Sequence, residues 1–429
     1  MPIQYPASIT LAILRLPVRG SVLGLPGEAA KASRQGPSSA EGKWLALKLA
    51  WFTGLDGEQL LVPGAALYKR VGIPKSRGAA AFAELQLCGW IRKGRFDPSL
   101  RKIRRWRSHD HAISLVLRYD GMFEQQLRAA ARQGMDRKNA LLLATLLAFA
   151  DEAGRVRDLS DLDLSRLTGF NSDHQLKCQM QRLQELGFVS KVVPGMTGSA
   201  LFGVVKSCIY LNLLHPCLST AFLEWRGFAV SHSQWRLNIQ GRMETLLKMM
   251  QPLARREISQ RRSVTAFFEH FVYGMVSEML SMPPAVAGEN VALLNRAQAQ
   301  LRSSSITSEN LRWFMRDIWI IAQTLRDTAY LRGTGGSVSI EAREEEVWKF
   351  CLLPVSLGAG LGSPADDKPY ALLLTNCPYI LGDYDSSWLG ARGVMEWVSA
   401  GLACDPALAP RKYRSGLHGT PGAKADHGE

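Results

Sequence analysis

Apolar positions along this chain fall at helical spacing and run into a glycine twice, about a hundred residues apart. The first copy is Phe82-Ala-Glu-Leu85-Gln-Leu-Cys88-Gly89-Trp90-Ile91-Arg-Lys93, and the second is Met180-Gln-Arg-Leu183-Gln-Glu-Leu186-Gly187-Phe188-Val189-Ser-Lys191. Phe82 and Leu85, like Leu176, Met180 and Leu183, share one helical face, and the glycine suits the left-handed position that ends a helix. Each copy therefore predicts helix, stop and strand.

The pattern extends upstream, where Leu67-Tyr-Lys-Arg-Val71-Gly72-Ile73-Pro74-Lys75-Ser76 corresponds to Leu164-Ser-Arg-Leu167-Thr-Gly169-Phe170-Asn171-Ser172. A short helix, a Gly turn followed by an apolar residue, and a helix start at Pro74 or at Asn171/Ser172 is the order of a helix-turn-helix. The first copy is expected to have helices at Lys43–Phe52, Pro63–Val71 and Pro74–Cys88 and a returning strand at His111–Leu117. In the second, helices are expected at Lys138–Ala153, Ser160–Thr168 and Ser172–Leu186, with strands near Phe188–Val193 and Leu201–Leu211 around a turn at Pro194-Gly195-Met-Thr-Gly198. Residues 121–134 read as a connecting helix that fixes the spacing of the two copies.

After Leu218 the pattern is helical to about Tyr330, clearest in Glu269–Leu280 and Leu311–Leu325, with a break at Met282-Pro-Pro. Trp313, Trp319 and the methionines there read as core. Further on, the expectations are a loop at Gly333-Thr-Gly-Gly336, a helix at Ser339–Leu352 and a strand at Tyr370–Leu374. The resulting fold class is mainly α with small β-wings: two winged helix-turn-helix domains followed by an α-helical C-terminal region. The expected divisions are an arm and linker (1–42), a first winged domain (43–118), a connecting helix (119–137) and a second winged domain (138–217). A helical oligomerisation or partner-binding domain (218–330), a mixed region (331–402) and a disordered tail (403–429) follow.

Composition agrees with a globular chain, since 429 residues with 46% hydrophobic content can bury a large core divided over about three domains. The net charge is +14, with a pI near 9.6. Its distribution matters more: Arg92, Lys93, Arg95, Arg101, Lys102, Arg104, Arg105 and Arg107 crowd residues 90–107 against a single acid, Asp97, with Trp90, Phe96 and Trp106 interleaved. This block follows the expected recognition helix, where a wing lies across phosphates. A solvated hairpin or an anionic-lipid patch is the alternative, as is stacking on single-stranded RNA, although no RNA-binding sheet motif is present.

The two copies with basic wings, over roughly residues 43–214, resemble the tandem winged-helix proteins of plasmids and integrative conjugative elements, which include replication initiators and transcriptional regulators. The expected partner is double-stranded DNA. Base readers are expected at Lys75, Ser76 and Arg77 on one recognition helix and at Ser172, His174, Gln175 and Gln179 on the other, because Arg and Gln make bidentate contacts in the major groove. Phosphate contacts are expected from Arg92, Lys93, Arg95, Arg101, Lys102, Arg104, Arg105, Arg107 and Lys191. The second wing carries only Lys191 and Lys206, so the first domain is expected to anchor electrostatically and the second to discriminate bases or to dimerise.

Motifs for catalysis are missing or weak. There is no G-x-x-x-x-G-K-[ST] loop, and Gly333-Thr-Gly-Gly336 lacks both the Lys and the preceding strand of a phosphate loop. His109-Asp-His111 lacks the apolar flanks of a relaxase core, His215-Pro-Cys217 reads as a strand-to-helix corner, and His232-Ser-Gln-Trp235-Arg236 does not match tyrosine-recombinase spacing. No enzyme, cofactor or metal is expected. Seven scattered cysteines without a C-x-x-C pair, no signal peptide and no apolar run near 20 residues indicate a reduced, cytoplasmic, nucleoid-associated protein without a membrane segment. The expected function is sequence-specific duplex binding, as a replication initiator on origin repeats with host replication proteins or a second copy as partners. A transcriptional regulator on an operator is the alternative, and a non-catalytic RNA- or lipid-binding assembly protein is a third possibility.

Overall fold

The computed structural model describes residues 14, 36–53, 64–92, 95–96, 135–151, 153–157, 159–199, 202–212, 215, 226–231, 261–281, 295, 299, 301, 309, 312–316, 318–320, 322, 350–355, 370–375 and 395–398. Among these, the protein is mainly helical with small antiparallel sheets. The first unit contains α1 (Ala40–Thr53), α2 (Gly64–Arg70), α3 (Lys75–Leu87), β1 (Ile91–Arg92) and β2 (Arg95–Phe96). The second contains α4 (Arg137–Phe149), β3 (Arg155–Val156), α5 (Asp161–Thr168), α6 (Asp173–Glu185), β4 (Val189–Val193), β5 (Met196–Ser199), β6 (Gly203–Val205) and β7 (Cys208–Leu211).

The repeat seen in the sequence is also a repeat of hydrogen bonds. After α3, Gly89 N donates to Gln86 O and Trp90 N to Leu85 O; after α6, Gly187 N donates to Gln184 O and Phe188 N to Leu183 O. These are the paired bonds of a Schellman stop, which needs a left-handed residue, and Gly89 and Gly187 have φ of 73° and 80°. The residue after each glycine, Trp90 or Phe188, is fully buried and locks the stop in place. The earlier turns repeat too: Ile73 N donates to Tyr68 O and Phe170 N to Ser165 O, around Gly72 and Gly169.

Local capping explains where the second unit's helices begin. Asp136 caps α4 through Asn139 N, Ser160 and Asp163 form a capping box on α5, and Ser172 caps α6 through Gln175 N. Helix α4 ends at Phe149, short of the expected Ala153, because Asp151 accepts from the backbone N–H groups of Ala153 and Arg155 and turns the chain into β3. The order of the central sheet is β3-β7-β4, all antiparallel.

The expected turn at Pro194–Gly198 is replaced by strand. Val193 pairs with Cys208 and Met196 with Val205, so β4–β5 and β6–β7 keep one hairpin register across an interruption. Pro194 has no N–H to give the ladder, which breaks it there without reversing the chain.

A third region differs more from expectation. Arg226–Ser231, expected in a helical domain, is strand β8. It joins β9 (Phe350–Val355), β10 (Tyr370–Thr375) and β11 (Met395–Val398) in an antiparallel sheet of order β11-β8-β10-β9, so the expected division at residue 330 is crossed by paired strands. Phe350–Val355 likewise overturns the C-terminal end of the helix expected at Ser339–Leu352; the remainder of that helix lies outside the described residues. Helix α7 (Arg261–Leu280) matches the amphipathic segment, and residues 312–316 and 318–320 are helical as expected.

One apolar core runs through both units. It takes Trp44, Leu45 and Leu49 from α1, Leu85 from α3, Leu141 to Leu147 from α4, Leu183 from α6 and Ile209 to Leu211 from β7, and reaches Cys351 and Leu353 of β9. Helix α1 also buries two lysines. Lys43 Nζ lies 3.4 Å from Leu14 O, and burial lowers its pKa to about 8 against the opposing pull of Glu84; Lys48 Nζ lies 5.2 Å from the centre of the Trp44 ring.

Helix α7 covers the second hairpin from root to tip. Lys191 of β4 pairs with Glu269 at 3.3 Å, the Tyr210 hydroxyl is hydrogen-bonded to His270 Nδ1, and Phe202 packs on Phe267, Phe268 and Phe271. Ser277 accepts from Leu352 N at 2.8 Å, tying α7 to β9. Burial, reinforced by Arg157, Arg155 and Lys191, lowers the His270 pKa to about 3. His215, stacked on Phe188 with ring centres 3.9 Å apart, is brought to about 3 by burial despite its bond to Leu186.

Candidate nucleic-acid interface

The first surface is built by α2 and α3. Gly78, Ala81 and Leu85 form the buried stripe of α3, which turns Lys75, Ser76 and Arg77 outward in its first turn. Three of the expected base readers therefore share an exposed helix start, where the backbone N–H groups and the helix dipole already favour an anion. Arg77 is partly engaged, 3.2 Å from Glu41 Oε1. Lys69 and Arg70, at the end of α2, are also exposed; sequence reading missed them, although apolar Leu67 beside them marks the inward face of that helix.

Hairpin β1–β2 pairs Ile91 with Phe96 and Arg92 with Arg95. Two cationic residues are thus opposite each other in the backbone register of the ladder. Arg95 is exposed, whereas Trp90, Ile91 and Phe96 are buried, with Trp90 and Phe96 edge to face at 6.2 Å. Those two aromatics are core and not stacking platforms for bases. Lys93, Arg101, Lys102, Arg104, Arg105, Trp106, Arg107, His109 and His111, the strand expected at His111–Leu117 and the helix expected at 121–134 lie outside the described residues, as does most of the 1–42 arm.

The second surface is α6. Leu176 and Leu183 face inward, and His174, Lys177, Cys178 and Gln181 form the exposed stripe opposite. Cys178 Sγ lies 3.8 Å from both ring nitrogens of His174. The Ser172 hydroxyl is used by its cap, and Gln175 is half-buried. Gln179 is corrected by the geometry: its Oε1 is buried with no hydrogen-bond partner among the described residues, and its carbonyl accepts from Asn139 on α4. Sequence reading missed Lys177 and Gln181, which the steps of three and four from His174 would have found once Leu176 fixed the inward face.

Lys191 is also corrected. Its ammonium and the Glu269 carboxylate are both largely buried at 3.3 Å, so it serves the α7 contact and not an external phosphate.

The electrostatics of the two units differ. Among the described residues of 64–96, every exposed charge is a cation: Lys69, Arg70, Lys75, Arg77 and Arg95. The second unit balances Arg157, Arg166, Lys177 and Lys206 with Asp136, Asp161, Asp173 and Glu185. Glu84, the acid of α3, is turned inward; burial works to raise its pKa, but hydrogen bonds from the Ser38 and Ser39 side chains and backbone outweigh that and hold it low. Among the described residues, no group of three or more His, Cys, Asp or Glu side chains could hold a metal ion, and no helix is long and apolar enough to cross a membrane. No protein-family model, curated protein or solved structure matches the chain.

Proposed function

We propose that this chain is a sequence-specific double-stranded DNA-binding protein that reads duplex through two winged-helix units. The observation that carries the reading is the surface of the first unit, where an outward helix start with Lys75, Ser76 and Arg77 and the exposed Lys69, Arg70 and Arg95 adjoin the basic 92–107 segment with no exposed acid among the described residues. The element order helix, strand, helix, helix, hairpin in residues 137–211, with the first strand paired beside the hairpin, supports the winged-helix assignment. No catalytic step is proposed.

Two reading helices in one chain favour an origin-binding role, as in replication initiation, over control of a promoter. Anisotropy titration of the full chain against duplexes from its own genomic neighbourhood, with a scrambled control at about 0.15 M salt, tests the reading. A preference of about a thousandfold for one duplex is expected. Equal affinity for every duplex would reduce the protein to a basic coating protein, and equal affinity for single strands would move it to the RNA-binding class.

A further inference from the structure

Burial sets one cysteine apart from the others among the described residues. Cys208 and Cys351 are buried and Cys88 is half-buried, the usual place of a thiol that packs as a small apolar group, whereas Cys178 is exposed. It stands on α6 one turn after His174, which is exposed as well. Positions i and i+4 of a helix share a face, and Cys178 Sγ accordingly lies 3.8 Å from each ring nitrogen of His174. Neither side chain makes a hydrogen bond or ion pair with any other described residue.

The pair has both the donor chemistry and the spacing of a metal chelate. Thiolate sulfur and imidazole nitrogen are the donors that Zn²⁺ and similar borderline-soft cations take, and a one-turn spacing on a helix lets two side chains close on one ion. A tetrahedral ion bound ~2.3 Å from sulfur and ~2.0 Å from nitrogen holds those two atoms ~3.5 Å apart. The separation of 3.8 Å on α6 is close to that, so a small turn of the exposed ring aims one nitrogen at the ion without moving the helix.

From this geometry we infer that His174 and Cys178 chelate a Zn²⁺-type cation on the outward face of α6 and, resting on the DNA-binding reading above, that this ion and the duplex occupy the face in turn. Two protein donors leave two of the four positions to water, so the ion is exchangeable and not part of the fold. On binding, the Cys178 S–H bond is replaced by a sulfur–metal bond and the proton goes to solvent. Lys177 and Gln181 lie on the same exposed stripe, so a hydrated ion there stands between the reading residues and the base edges. By linkage the exclusion is reciprocal, each ligand weakening the other by the same factor.

Equilibrium titration of the reduced full chain with Zn²⁺, and with Co²⁺ as a coloured substitute, tests the site. The parent protein is expected to take up an ion whose Co²⁺ form shows a thiolate-to-metal absorption band. Cys178→Ser and His174→Ala should each weaken uptake on the order of a hundredfold, and Cys178→Ser should lose the band, with thermal melts showing both variants folded. In the parent, which needs no variant, Zn²⁺ should slow maleimide labelling of Cys178. Saturating Zn²⁺ should weaken binding of the preferred duplex about tenfold in the parent, reversibly with EDTA, and leave the affinity of Cys178→Ser where it stands without metal. Labelling of Cys178 indifferent to Zn²⁺, or uptake undiminished in both variants, would overturn the chelate. Uptake at Cys178 without any effect on duplex affinity would overturn the exclusion alone. Uptake by a chain that prefers no duplex would overturn the DNA-binding reading and the exclusion that rests on it, and leave the chelate standing.

Discussion

The two hairpins of this chain grow from the same local signal and are put to different uses. The first leaves its helix through Gly89, has two-residue strands, and exposes Arg95 at the edge of a basic segment. The second leaves through Gly187, extends from Val189 to Leu211, and is covered by α7, with Phe202 at its tip 1% exposed. The contrast teaches that a helix-stop-strand phrase specifies a local path and nothing about who occupies the strand's face. The hairpin of the second unit is a seat for the rest of the chain.

The sharpest contrast between the regions is in their response to pH. His215 and His270, in and against the second unit, have pKa values lowered to about 3, so the unfolded chain takes up their protons first. Their contribution is complete above about pH 6.5 and is lost as pH falls toward 3, at up to about 1.4 kcal/mol per pH unit per histidine. Lys43 in the first unit titrates near 8 in the fold and near 10.5 unfolded, so it adds stability as pH rises through that interval. Urea melts between pH 4 and 10 should show both limbs. His215→Phe should flatten the acid limb and Lys43→Met the alkaline one; a flat profile in the parent protein would remove the contrast.

The hairpins can be separated next. Replacing Arg101, Arg104 and Arg105 together by Ala should reduce affinity on the order of a hundredfold for every sequence and flatten the log–log salt slope by about 2.7. Lys191→Ala should leave that slope alone and instead cost about 1–3 kcal/mol of stability, because it removes the largely buried ion pair between the second hairpin and Glu269 of α7. A changed salt slope in Lys191→Ala would return the second hairpin to the DNA face.

The smallest expected effect divides one helix. Lys177→Ala should weaken duplex binding by about 1 kcal/mol, whereas the Gln179→Met variant should bind as the parent does. The opposite ranking would mean that α6 turns its other side to the duplex.

What the sequence revealed follows from how local each determinant is. Helices α2, α3, α5 and α6 were legible to within a residue or two, since Pro74, Ser160, Ser172 and the glycines act within one turn of themselves. Strand β8 was hidden because its partners, β10 and β11, lie more than a hundred residues downstream. The inward turn of Gln179 and the capture of Lys191 depend on Asn139 and Glu269, neighbours only in the fold. The burial of Lys43 and Lys48 was not legible either, because it comes from the packing of α1 between the two units and not from the helix itself.

That shared core also sets a timetable for synthesis. Helix α1 emerges from the ribosome roughly a hundred residues before α4, its packing partner, is complete. At about 5–20 residues per second, the nascent chain spends about 5–20 s with the side of α1 that meets α4 uncovered. The first unit is therefore a waiting intermediate, with an apolar helix that chaperones would recognise until residue 149 arrives.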